Sequence, residues 1–165
     1  MKKYDVVIGI DPDVDESGVA FLIVESRVLE VYSLTFADLL DYLQEIGDVL
    51  MREGKNFVVV VEAGWLNKAH WHVGKGGSAA RTAAIGNHTG RNHEVGRKIV
   101  EMCRHYGIEV VEQPPLRKMW KGKDGKITHE ELQHFTGITG KTNQETRDAT
   151  LLAWEYAGLP IRIKN

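Results

Sequence analysis

The sequence predicts an α/β fold built on one mixed five-stranded sheet, three antiparallel strands followed by two parallel ones, with helices on both faces. Three observations carry this. Short Val- and Ile-rich runs recur along the chain, segments with helical apolar spacing separate the later runs, and Gly, Pro or Asp-Pro punctuates the joins. Tyr4 to Ile10 is continuously apolar, as a strand buried on both faces must be. Asp11-Pro12 then opens a tight turn, DPDVDESG. Val19 to Glu25 and Val28 to Leu34 read as second and third strands, joined by a hairpin around Ser26-Arg27.

Phe36 to Arg52 carries Phe36, Leu39, Leu40, Leu43, Ile46, Val49 and Leu50 at helical spacing, with Gly54 as its stop. Phe57 to Val61 is a fourth strand running into Glu62. Residues 63–91 are the least regular stretch, rich in Gly, His, Asn and basic side chains, with a short helix expected around Ser78 to Ile85. Arg91 to Tyr106 predicts a separate helix with Val95, Ile99, Met102, Cys103 and Tyr106 inward, ended by Gly107. Ile108 to Val111 is the fifth strand. After Pro114-Pro115 and the basic segment LRKMWKGKDGK, Thr128 and Glu131 form a capping box for a helix from His129 to Phe135. The last helix spans Asn143 to Ala157 with Ala149, Leu152, Ala153 and Tyr156 inward. No repeat or second domain appears, so residues 1–165 read as one domain.

At 42% hydrophobic and 27% charged, the composition is that of an ordinary globular protein. No apolar run approaches the roughly 18 residues of a membrane span. The apolar run at the N-terminus is too short for a signal peptide and ends in acids. Cys103 is the single cysteine, which excludes an internal disulfide and points to a reducing, cytoplasmic setting. On the apolar face of its helix it is expected to be an inert buried thiol. The net charge of −2 hides an asymmetry. Between Ala63 and Lys126 stand 12 Lys and Arg against 5 Asp and Glu, a local +7, and the rest carries −9. His70, His72, His88, His93 and His105 fall in the same basic stretch, which a polyanion would feel. His70 and His72 form an HxH pair, too few ligands for zinc, and read as DNA-facing or solvated.

The acids are more specific. Asp11 directly follows an apolar strand, where open α/β sheets place their ligand sites, although Asp-Pro is also a common turn start. The alternating acids of DPDVDESG suit a calcium loop, but Glu16 and Leu22 stand where an EF-hand needs Gly and Glu. Glu62 ends a run of four valines, and a charge at the tip of a buried strand must be paired or metal-bound. Glu145 and Asp148 are three apart and share a helix face, either as ligands or as acids favouring the helix dipole. Four carboxylates from distant segments are what a pair of divalent cations in a nuclease requires.

IGIDP near the start, VVVE about fifty residues later and ETRDATLLAW near the end resemble the RuvC family of Holliday-junction resolvases, within the RNase H-like superfamily. The likeness extends to GRNHEVGRKIVE, PPLRK and HEELQHF, and so spans nearly the whole chain. It implies an RNase H-like fold and a structure-selective endonuclease that resolves four-way DNA junctions by phosphodiester hydrolysis. It also implies two Mg2+ ions per active site, replaceable by Mn2+, on Asp11, Glu62, Glu145 and Asp148. It further implies a homodimer with the Arg91–Tyr106 helix at its interface, in a bacterial or phage-infected cytoplasm. Trp65 stands where the family carries an aromatic wedge, and Lys118 where it carries a phosphate-binding residue. Lys68, Lys75, Arg81, Arg91, Arg117, Trp120 and Lys121 complete the expected DNA-facing set, whereas Trp154 reads as core.

Three positions depart from the family pattern. Asp13 replaces a glycine, Glu145 replaces Asp or His, and His129 replaces a lysine that binds phosphate. The competing expectations are a nuclease for RNA–DNA hybrids or other branched DNA, and a catalytically silent junction binder. An actin-like ATPase is excluded by the short chain and the lack of a Gly-rich phosphate loop.

Overall fold

The computed structural model describes residues 3–67 and 78–165. Five strands form one sheet: β1 (Val6–Asp11), β2 (Ser17–Ile23), β3 (Val28–Leu34), β4 (Phe57–Glu62) and β5 (Val110–Gln113), in the order β3-β2-β1-β4-β5. The β1–β2 and β2–β3 pairs are antiparallel, and the β1–β4 and β4–β5 pairs are parallel. The described helices are α1 (Phe36–Arg52), α2 (Ala79–His105), α3 (His129–Thr136) and α4 (Gln144–Tyr156).

Strand alternation sorts the core into two layers. Val6, Ile8 and Ile10 of β1 and Val59 and Val61 of β4 face Leu39, Leu43 and Leu50 of α1 and Ile99, Val100 and Cys103 of α2. Val7 of β1 and Val58 and Val60 of β4 face the other way, onto Ala149, Leu152, Ala153 and Trp154 of α4. Burying each large aliphatic side chain contributes about 1.5–3 kcal/mol, so the central strands, covered on both sides, anchor the domain. A smaller cluster of Trp120, Ile127, Leu132, Ile138 and Leu151 fastens α3 and its preceding loop to α4.

Two glycines let α4 lie directly on the strand backbones. A Cβ on Gly9 would overlap the Ala149 carbonyl, and one on Gly18 would overlap the Glu145 carbonyl and come within 2.7 Å of the Thr146 amide. Gly18 pairs with Asp11 across β1 and β2. The start of α4 is therefore pressed down where β1 ends.

The largest departure from expectation is α2. The two expected helices are one helix of 27 residues, capped by Ser78, whose side chain accepts from the Arg81 amide. Residues 79–91 are mostly exposed, so no apolar stripe marks their helical period. Gly86 and Gly90 weaken a helix by roughly 0.5–1 kcal/mol each but do not stop one. β1 continues through Asp11, and β2 starts at Ser17. β5 lies at Val110–Gln113 rather than at residues 108–111, which brings Glu112 and Gln113 into the sheet. The Thr128–Glu131 capping box forms as expected.

Candidate metal centre and nucleic-acid interface

The parallel register pairs Ile10 with Val61, so Asp11 and Glu62 follow side by side at the carboxyl ends of β1 and β4. Period-2 alternation puts Asp11 on the face of Val7 and Gly9, and Glu62 on the face of Val58 and Val60. That face is the one α4 covers. The first turns of α4 carry Glu145 and Asp148, one turn apart. Strand parity, sheet order and the close seat of α4 thus bring all four acids to one end of the sheet.

The electrostatics report this convergence. Burial is the largest influence holding the Asp11 carboxyl well above the usual carboxylate range. The charges of Glu62 and Asp148 push it further up, Lys126 pulls it down, and Glu145 adds a smaller push. Glu62 is raised by burial and then by Asp148, against the pull of Lys126 and Lys118. Lys126 is the cation they share. Its Nζ lies 2.9 Å from Asp148 Oδ2, and Gln144 Nε2 donates to Asp148 Oδ1 at 2.8 Å. Burial opposes the charge on Lys126, but the bond to Asp148 and the fields of Asp148, Asp11 and Glu62 outweigh it and raise its pKa.

Four carboxylates against one ammonium leave an excess of negative charge, carried on hard oxygen donors of the kind magnesium and manganese take. The donor set fits a divalent cation in charge and chemistry. Among the described residues, no three His, Cys, Asp or Glu side chains already stand close enough together to hold one. Asp13 is engaged elsewhere: its Oδ1 accepts from the Asp15 amide and its Oδ2 from Asn92 Nδ2, while Asn92 Oδ1 accepts from the Val14 amide. Asn92 thereby ties the turn after β1 to α2.

Two depressions meet at the acids. One, of about 550 Å³, runs from Glu62 and Asp148 past Trp65, Arg97, Arg117, Lys118 and Lys126. The other, of about 340 Å³, holds Asp11, Asp13, Glu62 and Glu145 with His88, Asn92 and His93. The acids thus lie beside a basic groove.

The DNA-facing expectations divide. Arg117 and Lys118 are exposed in the groove, and Arg81 and Arg91 are exposed on α2. Lys68 and Lys75, like His70 and His72, lie outside the described residues. Lys121 donates from Nζ to the Lys164 carbonyl and from its amide to Glu131. Trp120 is a correction. It is 9% exposed and stacks on Phe135 with ring centroids 5.9 Å apart, a core residue despite its lysine neighbours. Trp65 is half-buried: its Nε1 donates to Glu112 at 3.1 Å, Arg97 sits over its ring, and the ring packs against Gly96. It stands as an anchored wall of the groove. Trp154 is core, as expected. His129 Nδ1 lies 2.8 Å from Thr142 Oγ1. Cys103 is fully buried, which pushes its thiol up to about 12.

Sequence reasoning missed Lys126, Asn92 and Arg97. Lys126 is one of three lysines in KGKDGK, and nothing in that run tells which of them reaches the acids.

No protein-family model matches the chain, and no curated protein is detectably similar to it. Solved structures are similar. One is T. thermophilus RuvC in complex with a Holliday junction substrate, at TM-score 0.54 and 17% identity over 93% of each chain. T. thermophilus RuvC alone gives TM-score 0.47 and 18% identity, over 93% of this chain and 96% of that one. Fowlpox virus resolvase with its Holliday junction DNA gives 0.42 and 12%, over 93% and 97%. The first of these carries the comparison. This chain has the RNase H-like fold of RuvC.

Proposed function

We propose that this protein is a magnesium-dependent endonuclease that resolves four-way DNA junctions. The observation that carries the reading is the meeting of Asp11, Glu62, Glu145 and Asp148 at one end of the sheet, beside a groove lined by Arg97, Arg117 and Lys118. The junction complex of T. thermophilus RuvC, which shares the fold, supports the choice of substrate.

In this reading the four carboxylates hold two divalent ions. When bound, these supply a water activated for attack and stabilise the charge on the phosphate. Lys118 and Arg117 hold phosphates along the groove and set the register of the DNA. The Trp65 ring, fixed by Glu112 and Arg97, forms the groove wall against which the branch is positioned. Symmetric cuts need two such sites, so the protein acts as a homodimer, with the solvent face of α2 as its interface. No described helix is long and apolar enough to cross a membrane.

Purified protein is incubated in magnesium with a four-way junction, a linear duplex and an RNA–DNA hybrid. The junction is cut in preference to the others, and cutting is lost in Asp11→Asn. Equal cutting of junction and duplex, or junction cutting that survives Asp11→Asn, would rule the proposal out. Preference for the hybrid moves the substrate assignment to RNA–DNA duplexes. Tight junction binding without cleavage in magnesium and manganese makes the protein a binder.

A further inference from the structure

We infer that Lys126 is an exchangeable internal counter-ion, holding Asp148 in place of the divalent cation and turning to a DNA phosphate once the cation takes Asp148. The inference rests on the metal centre proposed above. It concerns a residue for which the family resemblance gave no role.

The loop from Trp120 to Ile127 is a closed turn: the Trp120 amide donates to the Gly125 carbonyl, the Gly122 amide to the Lys126 carbonyl, and the Lys126 amide to the Lys123 carbonyl. Both ends are buried in the core, Trp120 at 9% and Ile127 at 1% exposure. The Ile127 carbonyl also accepts from Arg147 Nε at 3.1 Å and Gln144 Nε2 at 3.4 Å, both on α4. The backbone carrying Lys126 is therefore bolted to the helix that carries Asp148 and Glu145, and only the lysine side chain has freedom to move.

That side chain reaches Asp148 Oδ2 at 2.9 Å, with the lysine side chain 39% exposed and the aspartate 15%. Gln144 fills Oδ1. Both oxygens of Asp148 are thus occupied by donors. Each oxygen keeps a further lone pair, but a cation on Asp148 competes electrostatically with Lys126, the donor whose charge it replaces. The displaced ammonium remains at the junction of the two depressions, since Lys126 lines both. One contains the other acids and the other contains Arg97, Arg117 and Lys118. With the acids neutralised by metal, the remaining attraction for the ammonium is a phosphate in the basic groove. Metal and DNA consequently bind with positive coupling, each favouring the lysine position that the other needs.

The test measures Mn2+ binding to the full chain without DNA, by calorimetry, for wild type, Lys126→Gln, Lys126→Arg and Asp11→Asn, with thermal melts checking that each folds. Removing the competing ammonium tightens Mn2+ binding about tenfold in Lys126→Gln, within the usual range for coupled sites. Lys126→Arg, which keeps the charge, stays within about threefold of wild type on the same scale. Mn2+ binding to Lys126→Gln that is unchanged or weaker overturns the counter-ion role while leaving the metal centre standing. If wild type and Lys126→Gln bind Mn2+ no better than Asp11→Asn, the metal centre falls, and this inference with it.

Discussion

Gly18→Ala separates the positioning of the acids from their chemistry. Gly18 faces α4 opposite Asp11, and a Cβ there meets backbone rather than side chain: the Glu145 carbonyl, and the Thr146 amide at 2.7 Å. Ordinary contact begins at about 3.4 Å, and a helix backbone cannot swing aside as a side chain can. The N-terminal end of α4 must therefore lift by roughly 1 Å. Overpacking of this kind costs about 1–3 kcal/mol. For a domain of this size that lowers Tm by about 2–4 °C per kcal/mol. The functional effect is larger, because Glu145 and Asp148 ride on the lifted turn. A misplacement of about 1 Å at a reacting centre costs on the order of a hundredfold in rate. The control is Gly90→Ala, where a Cβ meets nothing within 4 Å and the exposed helix gains about 0.5–1 kcal/mol. Denaturant melts and single-turnover junction cleavage on the folded protein read both quantities. If Gly18→Ala retains wild-type stability, α4 does not sit this close to the strand. If it loses stability but cuts at the wild-type rate, Glu145 and Asp148 do not act at the site.

Two further outcomes follow from burial. Asp11→Asn removes a desolvated charge that faces three repelling acids and one lysine, so the metal-free variant is more stable than wild type by about 1–2 kcal/mol at neutral pH. The raised carboxyl pKa fixes the sign: the unfolded chain ionises first, so wild-type stability falls as pH rises above about 4 toward the folded value, and the advantage of Asn grows over that window. Urea melts at several pH values check this, and a variant less stable than wild type at pH 7 contradicts it. Cys103 is inert toward a thiol reagent in the native protein and reacts only as fast as the chain opens. Fast labelling under native conditions would show the α2–sheet contact to be open.

How far the chain announced this arrangement depends on where each signal was written. The strands were legible because burial on both faces demands unbroken runs such as Val58 to Val61, and α1 because one face alone is apolar. Asp11 and Glu62 stood out as charges closing such runs, although Asp-Pro also starts turns and a lysine can pair a buried Glu. The outer half of α2 was not, because an exposed helix needs no periodic apolar stripe, and Gly86 and Gly90 resemble loop residues. Trp120 misled because its sequence neighbours are lysines, whereas its spatial neighbours are Phe135 and Leu132, contributed by a helix that starts nine residues on.

Lys126 shows the deeper limit. Its role depends on which of several nearby ammonium groups the fold carries over the acids, and the selection is made by bonds far from the lysine itself. Trp120 and Ile127 fix the loop, Arg147 and Gln144 bind the Ile127 carbonyl, and Gly9 and Gly18 let α4 seat low enough to present Asp148. Each feature reads as ordinary packing by itself. Together they set a cation against four acids, two of which, Asp11 and Glu62, are disfavoured as charges by their burial. A buried acid cluster of this kind is costly without a counter-charge, and a tethered lysine supplies one.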